Sequence, residues 1–396
     1  MQTGIPIRHT ESSMSRRPPI DLHDLECITT LGAGTWGAAY LVKVKRRFGK
    51  ATGKAGALLA LKGVEKRAYR DLERNDPQED RWQASEGKNW ERRALASLPW
   101  NPFIIGILDA YADPRNIYLL LELAPRGSLH TLLGDQPLHP ATARFYFSHL
   151  VLGLEFLHSH DLVHRDIKTE NILIGADGYA MITDFGFSQF VHDSKEWDRL
   201  GTLEFVSPEV ATNTANTTAA RFASDWWSAA CVLFEILTTR IPFEPKENKG
   251  PGYAHLAEEH WQQNIPWPDP FDEQAKDLIS RMLTPQLSSR FGCRTIPVGK
   301  DGREVNEDLR GHEWLNNLRW DRMEARIERA PKWPDSVPLL TAGWDNHFLP
   351  QQKKVPGLRL KRKFPQSDII GNSHLDGRLS KRQRTAAAPA KTTNAT

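Results

Sequence analysis

Residues 164 to 186 read HRDIKTENILIGADGYAMITDFG. Arg165, Asp166, Lys168, Glu170 and Asn171 precede the apolar run Ile172-Leu173-Ile174, and Asp184 follows Met181-Ile182-Thr183. A solvated turn between strands accounts for polar residues at these places but not for their identities. Asp166 is a candidate base and Lys168 a cationic phosphate ligand. Asn171 and Asp184 are oxygen donors suited to a hard cation such as Mg²⁺, which takes one or two carboxylates and completes its shell with phosphate and water. Such a set serves to handle a polyanion and its metal ions.

Two stretches upstream fit the same chemistry, each with a plainer alternative. GAGTWG, Gly32 to Gly37, has the spacing that lets backbone approach phosphate oxygens, because no Cβ intervenes. In a dinucleotide-binding fold this spacing opens a helix, whereas here the strand-like AAYLVKVK follows. A glycine-rich hairpin is therefore expected, with a plain hairpin as the alternative. Lys62, in ALLALKG, is either an edge-strand solubiliser or a charge aimed into a cleft. Glu91, in WERRALASL, is either an exposed helix carboxylate or the partner that fixes this ammonium for phosphate neutralisation.

The elements that must position these residues follow from periodicity. Residues 25 to 63 alternate around Gly-rich turns and predict three antiparallel strands. GKNWERRALASL, with Trp90, Ala94 and Leu98 at four-residue spacing, predicts a helix, and NIYLLLELA a buried strand. ATARFYFSHLVLGLEFLHSH, with Phe145, Leu152, Leu154 and Leu157 near helical spacing, predicts a helix buried on more than one side. A small strand-rich lobe thus precedes a larger helical one, an α+β arrangement.

A chain of 396 residues with 39% hydrophobic content is too long for one compact unit, so two lobes are expected. The net charge of +3 is unevenly spread: from Gln351 onward the chain carries about +9, and the rest about −6. The mildly acidic body disfavours nucleic-acid binding as the main function. Cys27, Cys231 and Cys293 lie far apart without CxxC spacing, which argues against a disulfide framework or a zinc site and for an intracellular compartment. No run of 18 apolar residues and no signal-like leader occurs, so membrane insertion is not expected. Both ends are too polar to repay the entropy of ordering.

HRD-x-K-x-x-N followed by DFG, with the Gly-rich loop and the strand lysine before them, resembles the protein kinase superfamily. The segments NPFIIGILDAY, DFGFSQ, GTLEFVSPE, DWWSAACVLFEILTTRIPF and LTPQLSSRFG resemble the AGC group, especially the cyclic-AMP-dependent catalytic subunit, from about Leu25 to Arg319. The resemblance implies a bilobal fold with a small antiparallel β-sheet lobe carrying one helix, at about 23–122, and a mainly helical lobe at about 123–319. Residues 1–22 are then a disordered leader, 320–350 an AGC-like tail segment and 351–396 a basic disordered tail. It implies serine/threonine phosphorylation with ATP and Mg²⁺. Leu31, Gly32, Gly34 and Gly37 would cover the nucleotide, Lys62 contact its α- and β-phosphates, and Glu91 anchor that lysine. Glu122 and Ala124 would meet adenine through their backbone, with Leu121 as gatekeeper. Asp166 would orient the substrate hydroxyl or take its proton, Lys168 touch the γ-phosphate, and Asn171 and Asp184 hold Mg²⁺. An ATP-binding pseudokinase scaffold is the rival reading, but all five catalytic polar positions are filled.

Some residues depart from the family pattern. Thr169 stands where proline is usual, Ala39 where valine is, and Ser207 where alanine is. Asp198 occupies the place of a phosphorylatable threonine and, with Arg165, is expected to hold the activation segment; the alternative is an exposed loop acid with Ser194 or Thr202 as the regulatory residue. Glu170 and Glu235 match positions that bind substrate arginine, while Ser128 replaces a third such acid. Glu209 is expected to pair with Arg290, and Asp225 to bond the catalytic loop. Trp344 is a candidate tail aromatic near the nucleotide. Expected partners are protein substrates with Ser or Thr near basic residues, and an upstream kinase or regulatory subunit; a monomeric catalytic domain is expected. The basic LRLKRKF and SKRQR segments suggest nuclear entry for an otherwise cytoplasmic protein, with solvated charge as the alternative.

Overall fold

The computed structural model describes residues 20, 22–34, 37–45, 56–65, 90–113, 116–193, 200–243, 262, 264–293, 296–298, 303–334 and 337. Asp198, Ser194, Trp344, the leader up to residue 19 and the basic tail lie outside them.

The expected strands form as β1 (Leu25–Gly34), β2 (Gly37–Val44) and β3 (Leu58–Glu65). With β4 (Ile107–Ala112) and β5 (Asn116–Leu121) they build a five-stranded antiparallel sheet in the order β1-β2-β3-β5-β4. Alternation along β3 decides what each face carries. Leu59 and Leu61 enter an outer cluster with Tyr40, Val42 and Leu120. Lys62, paired in register with Ala39 and Leu119, faces the other way. Gly37 is needed for packing as much as for any ligand, since a Cβ there would fall 2.0 Å from the Gly63 carbonyl oxygen. Helix α1 (Trp90–Ser97) buries Ala94 and Leu95 as its spacing requires, and Glu91 with them.

The larger lobe begins with α2 (Leu129–Leu133) and α3 (Pro140–His158). Helix α3 starts with Pro140 in its first turn and the His139 ring accepting from the Ala141 N–H. Phe145, Leu152, Leu154 and Leu157 are all buried. Two short pairs follow, β6 (Leu162–Val163) with β9 (Gln189–Phe190) and β7 (Ile172–Ile174) with β8 (Ala180–Ile182). They frame the polar stretch from His164 to Asn171 and Asp184. Helices α4 (Pro208–Ala211), α5 (Thr218–Thr238) and α6 (Glu273–Met282) complete the core. The sequence reading did not anticipate the hairpin of β10 (Ile296–Val298) and β11 (Arg303–Val305). Two short helices end the described chain, α7 (Glu307–Arg310) and α8 (Trp320–Glu324).

The lobes meet at Ile182, whose N–H donates to Phe103 O at 2.8 Å and whose carbonyl accepts from Ile105 N–H at 2.9 Å. The segment after α8 spans the same junction. Arg326 donates to Pro102 O at 2.8 Å and to Asp177 Oδ1 at 2.9 Å, with its guanidinium 4.9 Å from the Tyr179 ring centroid. Among the described residues no helix is long and apolar enough to cross a membrane.

Candidate active site

The upper wall of the cleft is an ion triad. Lys62 Nζ lies 2.9 and 2.8 Å from the two Glu91 carboxylate oxygens and 2.7 Å from Asp184 Oδ1. Burial alone would lower the lysine pKa, but the two carboxylates outweigh it and hold the ammonium well above its ordinary value. Burial raises Asp184 as well; the Lys62 charge and hydrogen bond prevail, and this carboxyl falls below the usual range. Glu91 is more deeply buried than Asp184, at 5% against 46% side-chain exposure. Burial drives the Glu91 carboxyl upward despite Lys62. Asp184 takes a left-handed backbone, φ 62° and ψ 75°, and accepts from the Gly186 N–H. Phe185, fully buried, packs edge-on against His164 and fixes that turn from below.

The lower wall is organised by Asp225, which is 0% exposed. It accepts the backbone N–H groups of His164 and Arg165, each at 2.9 Å, and contacts His158 Nε2 at 2.9 Å. These bonds hold Arg165 at a φ of 71°, a conformation that a non-glycine residue keeps only when its surroundings over-determine it. His164 Nδ1 accepts the Asp166 N–H, so its Nε2 carries the proton and donates to Thr183 O.

Asp166 is then surrounded by donors. Its Oδ1 accepts the Thr202 hydroxyl at 2.7 Å and the Thr202 N–H at 3.0 Å. Its Oδ2 accepts Asn171 Nδ2 at 2.9 Å and lies 2.9 Å from Lys168 Nζ. Lys168 also donates to the Thr202 hydroxyl at 2.7 Å, so that oxygen takes one proton and gives one. Thr202, a regulatory candidate whose GT-x-E segment also resembles serine/threonine rather than tyrosine kinases, has its hydroxyl committed to Asp166 and Lys168. Its approach depends on Gly201, at φ +116°, where a Cβ would lie 2.7 Å from Arg165 O. Asn171 spends its amide N–H groups on Asp166 and its carbonyl, leaving Oδ1 as the oxygen a cation would take. Asn171 Oδ1 and the half-exposed Asp184 carboxylate are hard oxygen donors, and the pair fits Mg²⁺.

The nucleotide-side candidates sit on the arch and the hinge. Leu31, Gly32 and Gly34 lie on β1, where Gly34 pairs in register with Gly37 of β2. A Cβ at Gly32 would meet no atom within 4 Å, so this part of the arch faces free space. Glu122 turns its side chain back to accept the Gly106 N–H at 2.7 Å, and burial pushes its carboxyl to about 7. Ala124 and the expected gatekeeper Leu121 are buried beside it.

The structure brings Glu170 and Glu235 together through a residue the sequence reading did not assign to the site. Thr169 Oγ1 donates to Glu235 Oε2 at 3.0 Å and lies 3.3 Å from Glu170 Oε2. Ser128 caps α2 by accepting the Thr131 N–H, and His130 on that helix lies 3.8 Å from Glu235 Oε1. Arg165, whose expected partner Asp198 is outside the described residues, donates to Gln189 Oε1 at 2.7 Å. Arg93 on α1 reaches Asp193, just past β9, at 2.7 Å. Glu209 and Arg290 form the expected pair, buried and bidentate at 2.7 and 2.9 Å.

A cleft with a fixed cation and an acidic oxygen donor on one wall, and a carboxylate locked among donors on the other, suits phosphoryl transfer, in which positioning and charge stabilisation do most of the work. Residues 25–298 match the protein kinase domain family. Over 330 residues the chain is 32% identical to a cAMP-dependent protein kinase catalytic subunit of Dictyostelium discoideum, covering 82% of this chain but 45% of that one. It is 30% identical over 314 residues to cAMP-dependent protein kinase type 3 of Saccharomyces cerevisiae, covering 79% and 70% respectively. It is 29% identical over 324 residues to the human cAMP-dependent protein kinase catalytic subunit PRKX, covering 81% and 80%. The chain belongs to the protein kinase family. Within that family its relatives place it among AGC-type serine/threonine kinases, with ATP as the phosphate source the family uses.

Proposed function

We propose that this kinase phosphorylates serine and threonine hydroxyls near arginine in protein substrates. Asp166 orients the substrate hydroxyl and takes its proton, Lys168 and Lys62 neutralise phosphate charge, and Asn171 and Asp184 hold Mg²⁺. Bound Mg-ATP supplies the phosphoryl group and the metal charge that offsets its oxygens. The observation that carries this reading is the Asp166 carboxylate, fixed by Thr202, Asn171 and Lys168. A carboxylate so held is pre-organised before substrate arrives. Glu170 and Glu235 bind the substrate guanidinium, a role the acidic body supports. Regulation by Asp198 with Arg165, assembly with a regulatory subunit, and nuclear entry through the basic tail of a cytoplasmic protein belong to the same proposal.

The test is phosphate transfer from Mg-ATP to serine, threonine and tyrosine peptides with and without arginine, with Asp184→Ala as control. Transfer to serine and threonine by the parent, reduced at least about 10²-fold in the variant, is expected. A parent that binds Mg-ATP without transferring phosphate, whatever activating kinase is added, would mark a scaffold instead.

Glu235 adds a pH signature. Burial raises its carboxyl to about 7, the Thr169 hydrogen bond opposes this, and Glu170 adds to it. The KM for arginine peptides is therefore expected to rise as pH falls from 8 to 6, and Glu235→Gln to flatten that profile. Stability runs the opposite way. The fold binds this proton more tightly than the unfolded chain does, so its contribution is full below the ordinary 4.5 and lost as pH rises through about 7. Glu235→Gln should stabilise the protein at pH 8 by about 1–3 kcal/mol in urea denaturation. A variant no more stable than the parent at pH 8 would contradict the assignment.

A further inference from the structure

We infer that Thr169 is a positioning residue for substrate selection, holding Glu235 in the orientation that receives a guanidinium. This rests on the reading of Glu170 and Glu235 as the arginine subsite. Thr169 is 0% exposed, so its hydroxyl is not a surface group with water as an alternative partner. Its proton goes to Glu235 Oε2 at 3.0 Å, across 66 residues of sequence and from the catalytic loop to helix α5. A hydroxyl has one proton, and the longer 3.3 Å separation from Glu170 Oε2 leaves that carboxylate the weaker claim.

The arrangement fixes one carboxylate and leaves the other adaptable. Glu235 has Thr169 on one oxygen and the His130 ring 3.8 Å from the other, and its side chain is 12% exposed. Glu170 is exposed. Thr169 also begins the short 3-10 turn Thr169–Asn171, one residue after Lys168. The carboxylate that meets substrate arginine is therefore tied directly to the loop carrying Asp166 and Lys168. A bidentate guanidinium contact depends on carboxylate orientation as well as charge, and the Thr169 hydroxyl supports both at Glu235, so losing it should weaken discrimination.

The experiment compares kcat/KM for two serine peptides differing only by arginine or alanine upstream of the acceptor, using full-length parent, Thr169→Val, Thr169→Ser, Glu235→Gln and the Thr169→Val/Glu235→Gln double variant. Thr169→Val, nearly equal in volume, is expected to lower the arginine-over-alanine ratio about five- to tenfold, at the upper end of what a typical hydrogen bond supplies. Thr169→Ser should restore it. In the Glu235→Gln background the Thr169→Val change should have no further effect on the ratio. If Glu235→Gln lowers the ratio and Thr169→Val does not, the inference on Thr169 fails while the arginine subsite stands. If the parent shows no preference, or Glu235→Gln leaves it intact, the subsite and the inference fall together. A general folding defect would lower both peptides alike and would not be repaired selectively by serine, and that outcome too overturns the inference.

Discussion

Asp166→Asn is expected to lower kcat for peptide phosphorylation by about 10² to 10⁴, the range a positioned general base contributes. Among the described residues, the groups that reach this carboxylate are donors: the Thr202 N–H, the Thr202 hydroxyl, the Asn171 amide and the Lys168 ammonium. An asparagine must turn its own NH₂ toward one pair of them. Either choice sets donor against donor, and the amide has no basicity to offer an incoming hydroxyl. ATP binding should be much less affected, because Lys62, Glu91 and Asp184 stand on the other wall and keep their contacts. Steady-state kinetics with ATP and peptide varied separately resolve the two effects. An Asp166→Asn enzyme retaining more than about a tenth of parental kcat would remove Asp166 from the role of base.

Asp166 was readable in the sequence because phosphoryl chemistry demands particular residue types within a few positions of one another. HRD-x-K-x-x-N places a candidate base, a cation and a candidate metal ligand on one short loop, and DFG adds a second candidate ligand after a β-hairpin. Lys62 and Glu91 needed one further step, the pairing of a strand lysine with a helix acid 29 residues on; the two side chains lie 2.9 Å apart. The first three strands, the buried β5 and helix α3 were legible from alternation and helical spacing. The short pairs β6–β9 and β7–β8, of two and three residues per strand, are below the length at which periodicity speaks.

What stayed hidden is contact between residues whose types promise nothing. A threonine hydroxyl serves equally well as a cap, a surface group or a ligand, and only folding brings Thr202 to Asp166, 36 residues away, and Thr169 to Glu235, 66 away. Thr202 was visible as an alternative regulatory residue and Thr169 as a departure from a family pattern, neither as a contact of these carboxylates. Gly37 carries a second requirement that the motif did not show. Its place in GAGTWG suggested phosphate approach, whereas its close neighbour in the structure is the Gly63 carbonyl of β3. The two requirements coexist, and the packing one would keep a glycine there even without a ligand.

Arg290→Ala is expected to destabilise the protein by about 3–5 kcal/mol, the cost of leaving one partner of a buried ion pair alone. The Arg290 side chain is 0% exposed and Glu209 5%, so water cannot take over. Beyond its two bonds to Glu209, the guanidinium donates to the carbonyls of Thr284, Ala223 and Pro285 and lies 5.1 Å from the Trp227 ring centroid. Truncation strands a carboxylate, takes a donor from three backbone carbonyls and opens a void against an indole. For a domain whose whole stability is about 5–15 kcal/mol, this is a large fraction. Glu209 follows closely on the segment Gly201 to Ser207 that carries Thr202 to Asp166. Loosening its anchor should therefore lower kcat as well as the urea midpoint. The double variant Glu209→Ala/Arg290→Ala removes the uncompensated charge, and its loss should be smaller than the sum of the single losses. Additive losses in urea denaturation would mean that the two side chains act independently, and that the bond joining this segment to the helical core is not what holds it in place.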